Sequence, residues 1–206
     1  MVLQVSEVFY SIQGEGYNTG RPAVFVRFAG CNLACSFCDT DYSTKFKCTE
    51  EDLAHRIFMK LHESKLDPSH FPDVLCIITG GEPTIQNLEK FLHYIKTKLR
   101  MTICMETNGV VTPDWISKVD FITVSPKSSI HQSEIERADE IKVVWMGNNI
   151  TDIESYYNMY KNYGCHRFYL QPEGNKFELV KSAVDYIKKN PHWRLSLQTQ
   201  KIIGVK

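Results

Sequence analysis

The chain has 206 residues, 43% of them hydrophobic and 23% charged, the make-up of an ordinary globular protein with enough chain for one well-buried domain, expected to span 1–206. Its 24 Lys and Arg match its 24 Asp and Glu, so no global field points to nucleic acid or to an anionic membrane. No apolar run reaches the roughly 18 residues of a membrane span, the N-terminal stretch lacks the basic-then-apolar pattern of a signal peptide, and seven cysteines, three of them clustered, favour a reducing cytoplasm over a disulfide framework.

In chain order, 3–10 alternates loosely, as a half-buried strand does. Ser11–Gly20 (S-I-Q-G-E-G-Y-N-T-G) follows, a tight glycine loop that exposes backbone. It is either an ordinary turn or a place where Gln13 and Glu15 read the edge of a polar heterocycle. Ala23–Ala29 is an apolar strand with a single charge, Arg27, which either meets a structural carboxylate or clamps an anionic ligand. Directly after it, G-C-N-L-A-C-S-F-C-D-T sets Cys31, Cys35 and Cys38 in a C-x3-C-x2-C array. Three close thiolates suit soft metals and can hold three corners of a four-iron cluster, leaving one iron open for chemistry. A zinc site completed by Cys48 and a two-cysteine redox switch are the competing readings.

Glu50–Glu63 has helical spacing, with Leu53, Ile57, Phe58 and Leu61 on one stripe and His55 and His62 as surface histidines. A connection with two prolines leads to a buried strand at Val74–Thr79, which holds Cys76 as a buried thiol and runs into Gly80-Gly81-Glu82-Pro83. The glycines allow a ligand close to the backbone, Glu82 offers an acceptor to an ammonium group, and Pro83 opens a helix that runs to Leu99. The spacing then predicts a strand at Thr102–Glu106, containing the buried Cys104 and ending in Glu106-Thr107-Asn108-Gly109. Next come a helix at Pro113–Val119, strands at Phe121–Ser125 and Glu140–Trp145, and a helix at Ile153–Tyr163. A strand at Arg167–Gln171, a helix at Phe177–Lys188 and a strand at Arg194–Thr199 complete the chain. Strand, polar motif and helix repeat about six times, the pattern of parallel βα units with ligand groups at the strand ends.

A C-x3-C-x2-C loop followed by G-G-E-P resembles the radical S-adenosylmethionine (SAM) superfamily. With S-I-Q-G-E-G, F-V-R-F-A-G-C-N-L, T-G-G-E-P, E-T-N-G, V-S-P-K, L-Q-P and L-Q-T-x-K also present, the chain resembles, from Gln13 to Lys201, the 7-carboxy-7-deazaguanine synthases of the queuosine pathway. That resemblance implies an α/β fold, an incomplete TIM-like barrel of about six parallel βα units. It also implies a lyase that contracts the ring of 6-carboxy-5,6,7,8-tetrahydropterin by radical chemistry, with loss of ammonia.

By the same resemblance, Cys31, Cys35 and Cys38 ligate a 4Fe-4S cluster. S-adenosylmethionine would be met by Phe37, Cys38, Asp39, Gly81 and Glu82, by Ser125, Pro126 and Lys127, and by Gln171, Pro172, Glu173 and Gly174. Glu106 and Asn108 would lie near its ribose. Ile12, Gln13, Gly14, Arg27 and Thr79 would bind the pterin, and Thr40 a magnesium ion. An external electron donor, a flavodoxin-like protein or a chemical reductant, and a homodimeric state are implied as well, with no nucleic-acid or membrane partner. Two departures stand out. Gln200 occupies the position where family members often carry histidine, and Glu173 stands where an apolar residue is common. The rival readings are an activase of glycyl-radical enzymes, which shares only the cluster loop and G-G-E-P, and a non-catalytic zinc module.

Overall fold

A computed structural model describes residues 2–127 and 135–206. The chain divides into two compact units, one made of Met1–Ile12, Arg21–Thr107 and Val111–Phe121, the other of Gln13–Gly20, Asn108–Val110 and Ile122–Lys206.

In the first unit β1 (Leu3–Ile12) pairs antiparallel with β2 (Pro22–Phe28), with Glu7 opposite Arg27. A short β3 (Phe46–Cys48) pairs antiparallel with the other edge of β1. Three residues are too few to show a periodicity, so the sequence pattern missed β3. It also missed that the first strand pairing is antiparallel rather than part of a βα repeat. Burial alternates only over Leu3–Val5; Glu7–Ile12 is partly buried throughout, so the loose alternation of the sequence is not carried into two distinct faces.

Thr49 caps α1 (Glu50–Glu63) by accepting from the Asp52 N–H while Asp52 accepts from the Thr49 N–H, a reciprocal cap whose loss costs about 1 kcal/mol. Leu53, Ile57 and Leu61 are fully buried, each contributing about 1.5–3 kcal/mol by the area it removes from water. His55 and His62 are exposed and stack on Phe58, as expected of surface histidines.

β4 (Leu75–Gly80) runs parallel to β2, and β5 (Thr102–Thr107) runs parallel to β4. The helix expected from Pro83 is broken: Pro83–Ile85 forms a single tight turn, and α2 (Glu89–Tyr94) begins later, continuing through a wider-wound stretch at Ile95–Leu99. Glu82 caps that first turn, accepting from the Thr84 N–H. Asn87 accepts from the Glu89 N–H at 3.0 Å, at the point where the helix restarts, three intervening residues after the turn. The helix expected at Pro113–Val119 is likewise a tight 3-10 turn, Asp114–Lys118. Ala23, Leu75, Ile77 and Cys104 form one buried cluster. Cys76 and Cys104 are buried thiols outside any disulfide, and burial pushes the Cys76 thiol far up.

In the second unit, which takes in β6 (Phe121–Val124) from Ile122 on, β6, β7 (Glu140–Trp145), β8 (Phe168–Pro172) and β9 (Trp193–Leu195) are parallel neighbours in that order. Helix α3 (Ile150–Asn162) connects β7 to β8, and α4 (Phe177–Lys189) connects β8 to β9. The last strand stops at Leu195 rather than Thr199. Gln198 leaves the strand, with its N–H donating to Asn175 Oδ1 at 3.0 Å, and Thr199–Ile202 forms the short helix α5. Tertiary partners, not periodicity, set that boundary.

Candidate active site

The three cysteines lie on the loop that follows β2. Cys31 and Cys35 are partly buried, Cys38 is exposed, and all three are free. The loop is held at its root by the G-G-E-P strand end. Glu82 N–H donates to the Gly30 carbonyl at 2.9 Å, and Gly81 N–H donates to the Phe28 carbonyl at 3.1 Å. The approach leaves no room for side chains: a Cβ on Gly81 would fall 1.9 Å from the Gly30 carbonyl oxygen. The glycines are therefore explained first by backbone meeting backbone.

Glu82 is wholly buried. Its Oε1 accepts from Thr84 N–H (3.1 Å), from the Thr84 hydroxyl (2.8 Å) and from the Thr107 hydroxyl (2.7 Å). It thus ties G-G-E-P to the end of β5, a contact between Glu82 and Thr107 that no local pattern in E-T-N-G marks.

Burial pushes the Cys31 thiol up, and the negative charges of Glu82, Cys35 and Cys38 add to that against the opposing Leu33 N–H. A cation among these groups removes the repulsion, and three soft sulfur donors on one loop suit iron–sulfur ligation. Among the described residues no three His, Cys, Asp or Glu side chains are gathered in metal-holding geometry. Cys48 is buried in β3, where the charges that bear on it are Arg56, Asp52 and Glu50 rather than the loop thiols.

Arg27 is not deeply buried. Its side chain is 24% exposed, and its Nε lies 3.6 Å from Glu7 Oε2, across the β1–β2 pair, with the guanidinium 6.0 Å from the Phe9 ring centre. The structural-carboxylate alternative is therefore realised, with Nε turned to Glu7. Thr79, at the end of β4, donates to Glu106 Oε2 at 3.4 Å. Ile12 closes β1. Phe37 is partly buried, Asp39 is exposed and Thr40 is partly buried.

The second unit holds the remaining expected residues. Lys127 Nζ donates to Ser125 Oγ at 2.9 Å, beside the buried Pro126. Gln171 and Pro172 close β8, and Gln171 Oε1 accepts from Ser196 Oγ at 3.1 Å. Glu173 turns toward Lys176, and Gly174 has positive φ in the turn that follows. Asn108 Oδ1 accepts from the Val110 N–H.

Gln13 uses its side-chain carbonyl on the Glu15 N–H at 3.1 Å. Of the two readings of this loop, the structure favours the turn at Glu15, whose carboxylate is saturated by protein. Oε2 takes Lys142 Nζ at 2.5 Å, and Oε1 takes Gln198 Nε2 at 3.1 Å and Gln200 Nε2 at 3.0 Å. Burial alone would raise the Glu15 carboxyl; the Lys142 charge and hydrogen bond, with the Gln200 and Gln198 amides, overcome it and bring the value to about 2. Lys142, Glu140 and Ser196 were not singled out from the sequence. The signal that drew attention to Arg27, a charge inside an apolar strand, is equally present in E-I-K-V-V-W.

Three thiols on a loop stitched to G-G-E-P at the ends of parallel strands define a radical SAM protein. The family model described as "Radical SAM superfamily" matches residues 25–199. The chain is 37% identical to the 7-carboxy-7-deazaguanine synthase of Bacteroides thetaiotaomicron over 100% of both chains. It is 36% identical to that of Neisseria meningitidis serogroup B, over 98% of this chain and 93% of the relative. The crystal structure of QueE from Escherichia coli superposes with a TM-score of 0.74 at 26% identity, covering 97% of this chain and 95% of that one. The chain belongs to the 7-carboxy-7-deazaguanine synthase family of the radical SAM superfamily. Its fold class is α/β with a mostly parallel sheet, with which the expected incomplete barrel agrees.

Proposed function

We propose that this chain converts 6-carboxy-5,6,7,8-tetrahydropterin to 7-carboxy-7-deazaguanine with loss of ammonia, as a single radical SAM domain over 1–206. The observation that supports this most is full-length identity of 37% to a relative of that name, together with the stitched cysteine loop. When bound, a 4Fe-4S cluster and S-adenosylmethionine supply the one-electron chemistry and hydrogen-atom abstraction that start the ring contraction.

In this reading Cys31, Cys35 and Cys38 hold the cluster. Phe37, Asp39 and the backbone at Gly81 line the cofactor, and the hydrogen bonds at Gly30 and Phe28 set how closely that backbone approaches. Glu82 acts by holding the turn, since its carboxylate is buried and engaged. Ser125, Pro126 and Lys127, and Gln171 to Gly174, complete the cofactor contacts. Arg27 keeps its terminal guanidinium nitrogens for the substrate carboxylate while Nε faces Glu7, a fork suited to bidentate pairing. Ile12, Gln13, Gly14 and Thr79 serve the pterin. Thr40 offers one hydroxyl to magnesium, which takes few protein ligands and keeps waters or substrate oxygens for the rest.

An external reductant, a cytoplasmic setting and a homodimer belong to the same reading. No helix among the described residues is long and apolar enough to cross a membrane. An anaerobic assay with the carboxytetrahydropterin, S-adenosylmethionine and dithionite, following deazaguanine product by mass, tests the function. Product in amounts exceeding enzyme is expected; cofactor cleavage without product would sink it. Equal rates in chelator and in magnesium would remove the role given to Thr40.

A further inference from the structure

The Gln13–Gly20 loop is anchored by partners far away in sequence, all in its own unit. Glu140 and Lys142 share one face of β7, since strand side chains alternate. Lys142 is 5% exposed and Glu140 2%. Lys142 meets Glu15, whose side chain is 13% exposed, and Glu140 Oε2 accepts from the Tyr17 N–H at 2.6 Å. Ser196 Oγ accepts from the Gly16 N–H at 3.0 Å, and the Gly14 carbonyl accepts from the Thr199 N–H at 3.0 Å. Gly14 has no room for a Cβ against Gln200, nor Gly16 against Glu140.

We propose that Lys142 is a positioning residue for the substrate: through the carboxylate of Glu15 it holds Gln13 and Gly14 in the geometry that receives the pterin. The inference rests on the functional reading above. Glu15 is not itself a substrate ligand, because both its oxygens are already taken, one by an ammonium and the other by two amides. A buried ion pair is weak ground for net stability, whereas loss of one partner alone leaves an uncompensated buried charge; here the geometry points to a positioning role because the Glu15 partner sits in the loop with Gln13 and Gly14. Removing either member alone leaves the other charge buried without its counter-charge. Removing both leaves a neutral pair with the two glutamine amides still able to reach the loop.

The test is a double-mutant cycle with Lys142→Met, Glu15→Gln and the double variant, on anaerobically reconstituted enzyme. The dissociation constant of the carboxytetrahydropterin is measured by calorimetry without reductant, and KM and kcat are measured separately in the assay. Each single variant is expected to weaken pterin binding and raise KM by about tenfold or more, with iron content retained and kcat changed far less. The double variant is expected to bind better than the worse single. Lys142→Arg keeps the charge and is expected to recover most of the affinity; it also serves if Lys142→Met does not fold. Singles that bind the pterin like the parent would overturn the positioning role, as would losses that simply add in the double variant. A parent enzyme that binds no pterin would overturn the functional reading and this inference with it, which separates the two failures.

Discussion

The cysteine loop and the glycine loop are built in opposite ways. The cysteine loop has its three sulfurs within eight residues, two of them only partly buried and the third exposed. Its sulfur contacts are local and long, such as Cys31 to Asn32 Oδ1 at 3.9 Å and Cys38 to the Thr40 carbonyl at 3.9 Å. The glycine loop is held by Lys142, Ser196, Gln198 and Gln200, more than 120 residues away, through short bonds to buried groups. The first loop carries its chemistry in its own residue types and spacing. The second carries almost none, and takes its shape from distant side chains. A ligand site can thus be written locally, as donors, or remotely, as a cradle.

The largest break in that contrast should come from the cysteines. Replacing Cys31, Cys35 or Cys38 by alanine is expected to abolish cluster binding and turnover, read by iron content and visible absorbance after anaerobic reconstitution. Cys48→Ala should keep its iron and lose only about 1–2 kcal/mol of core packing in a urea titration. Loss of iron in the Cys48 variant would revive the four-cysteine site.

Arg27→Ala is expected to raise the KM for the pterin roughly 10–100-fold, the worth of a charge-assisted hydrogen bond, with iron content unaltered. An unchanged KM would leave Arg27 as nothing more than the partner of Glu7.

The glycine loop predicts a dependence on acid. The Glu15 carboxyl is lowered in the fold from an ordinary 4.5 to about 2. A depressed carboxylate contributes stability that is fully present above its unfolded value and is lost as pH falls through the folded one. The contribution, on the order of a few kcal/mol, is therefore intact above about pH 5 and disappears between about pH 4.5 and 2. Glu15→Gln should flatten the stability profile in that window. A variant as steep as its parent there would show that other carboxylates govern the acid limb.

Gln200→Met tests the smallest effect. Glu15 accepts only, so the Gln200 amide nitrogen must face it, which leaves Oε1 buried without a partner among the described residues. The substitution removes a hydrogen bond and an unsatisfied acceptor together, so stability should move by less than about 1 kcal/mol. A larger loss in urea unfolding would mean that the Gln200 bond dominates the anchor.

Some of this protein was written in its sequence alone. The α1 boundaries, the span of β7 and the three-cysteine loop were legible, because helix caps, strand runs and thiol spacing act over a few residues. The family motifs likewise carried the superfamily and the reaction class. Other features belonged to the tertiary structure. After Pro83–Ile85 the Gln86 side chain is held by Gln4 and Ala29, and the short β9 depends on Asn175. Arg27 looked buried because its strand is apolar, yet β1 supplies Glu7 and leaves that face partly open. Between a turn and a ligand contact the sequence leaves Glu15 open, and the choice is made by Lys142, 127 residues on, which no local pattern connects to it. Spacing determines which atoms a loop can offer; only the folded chain decides which of those atoms are already spoken for.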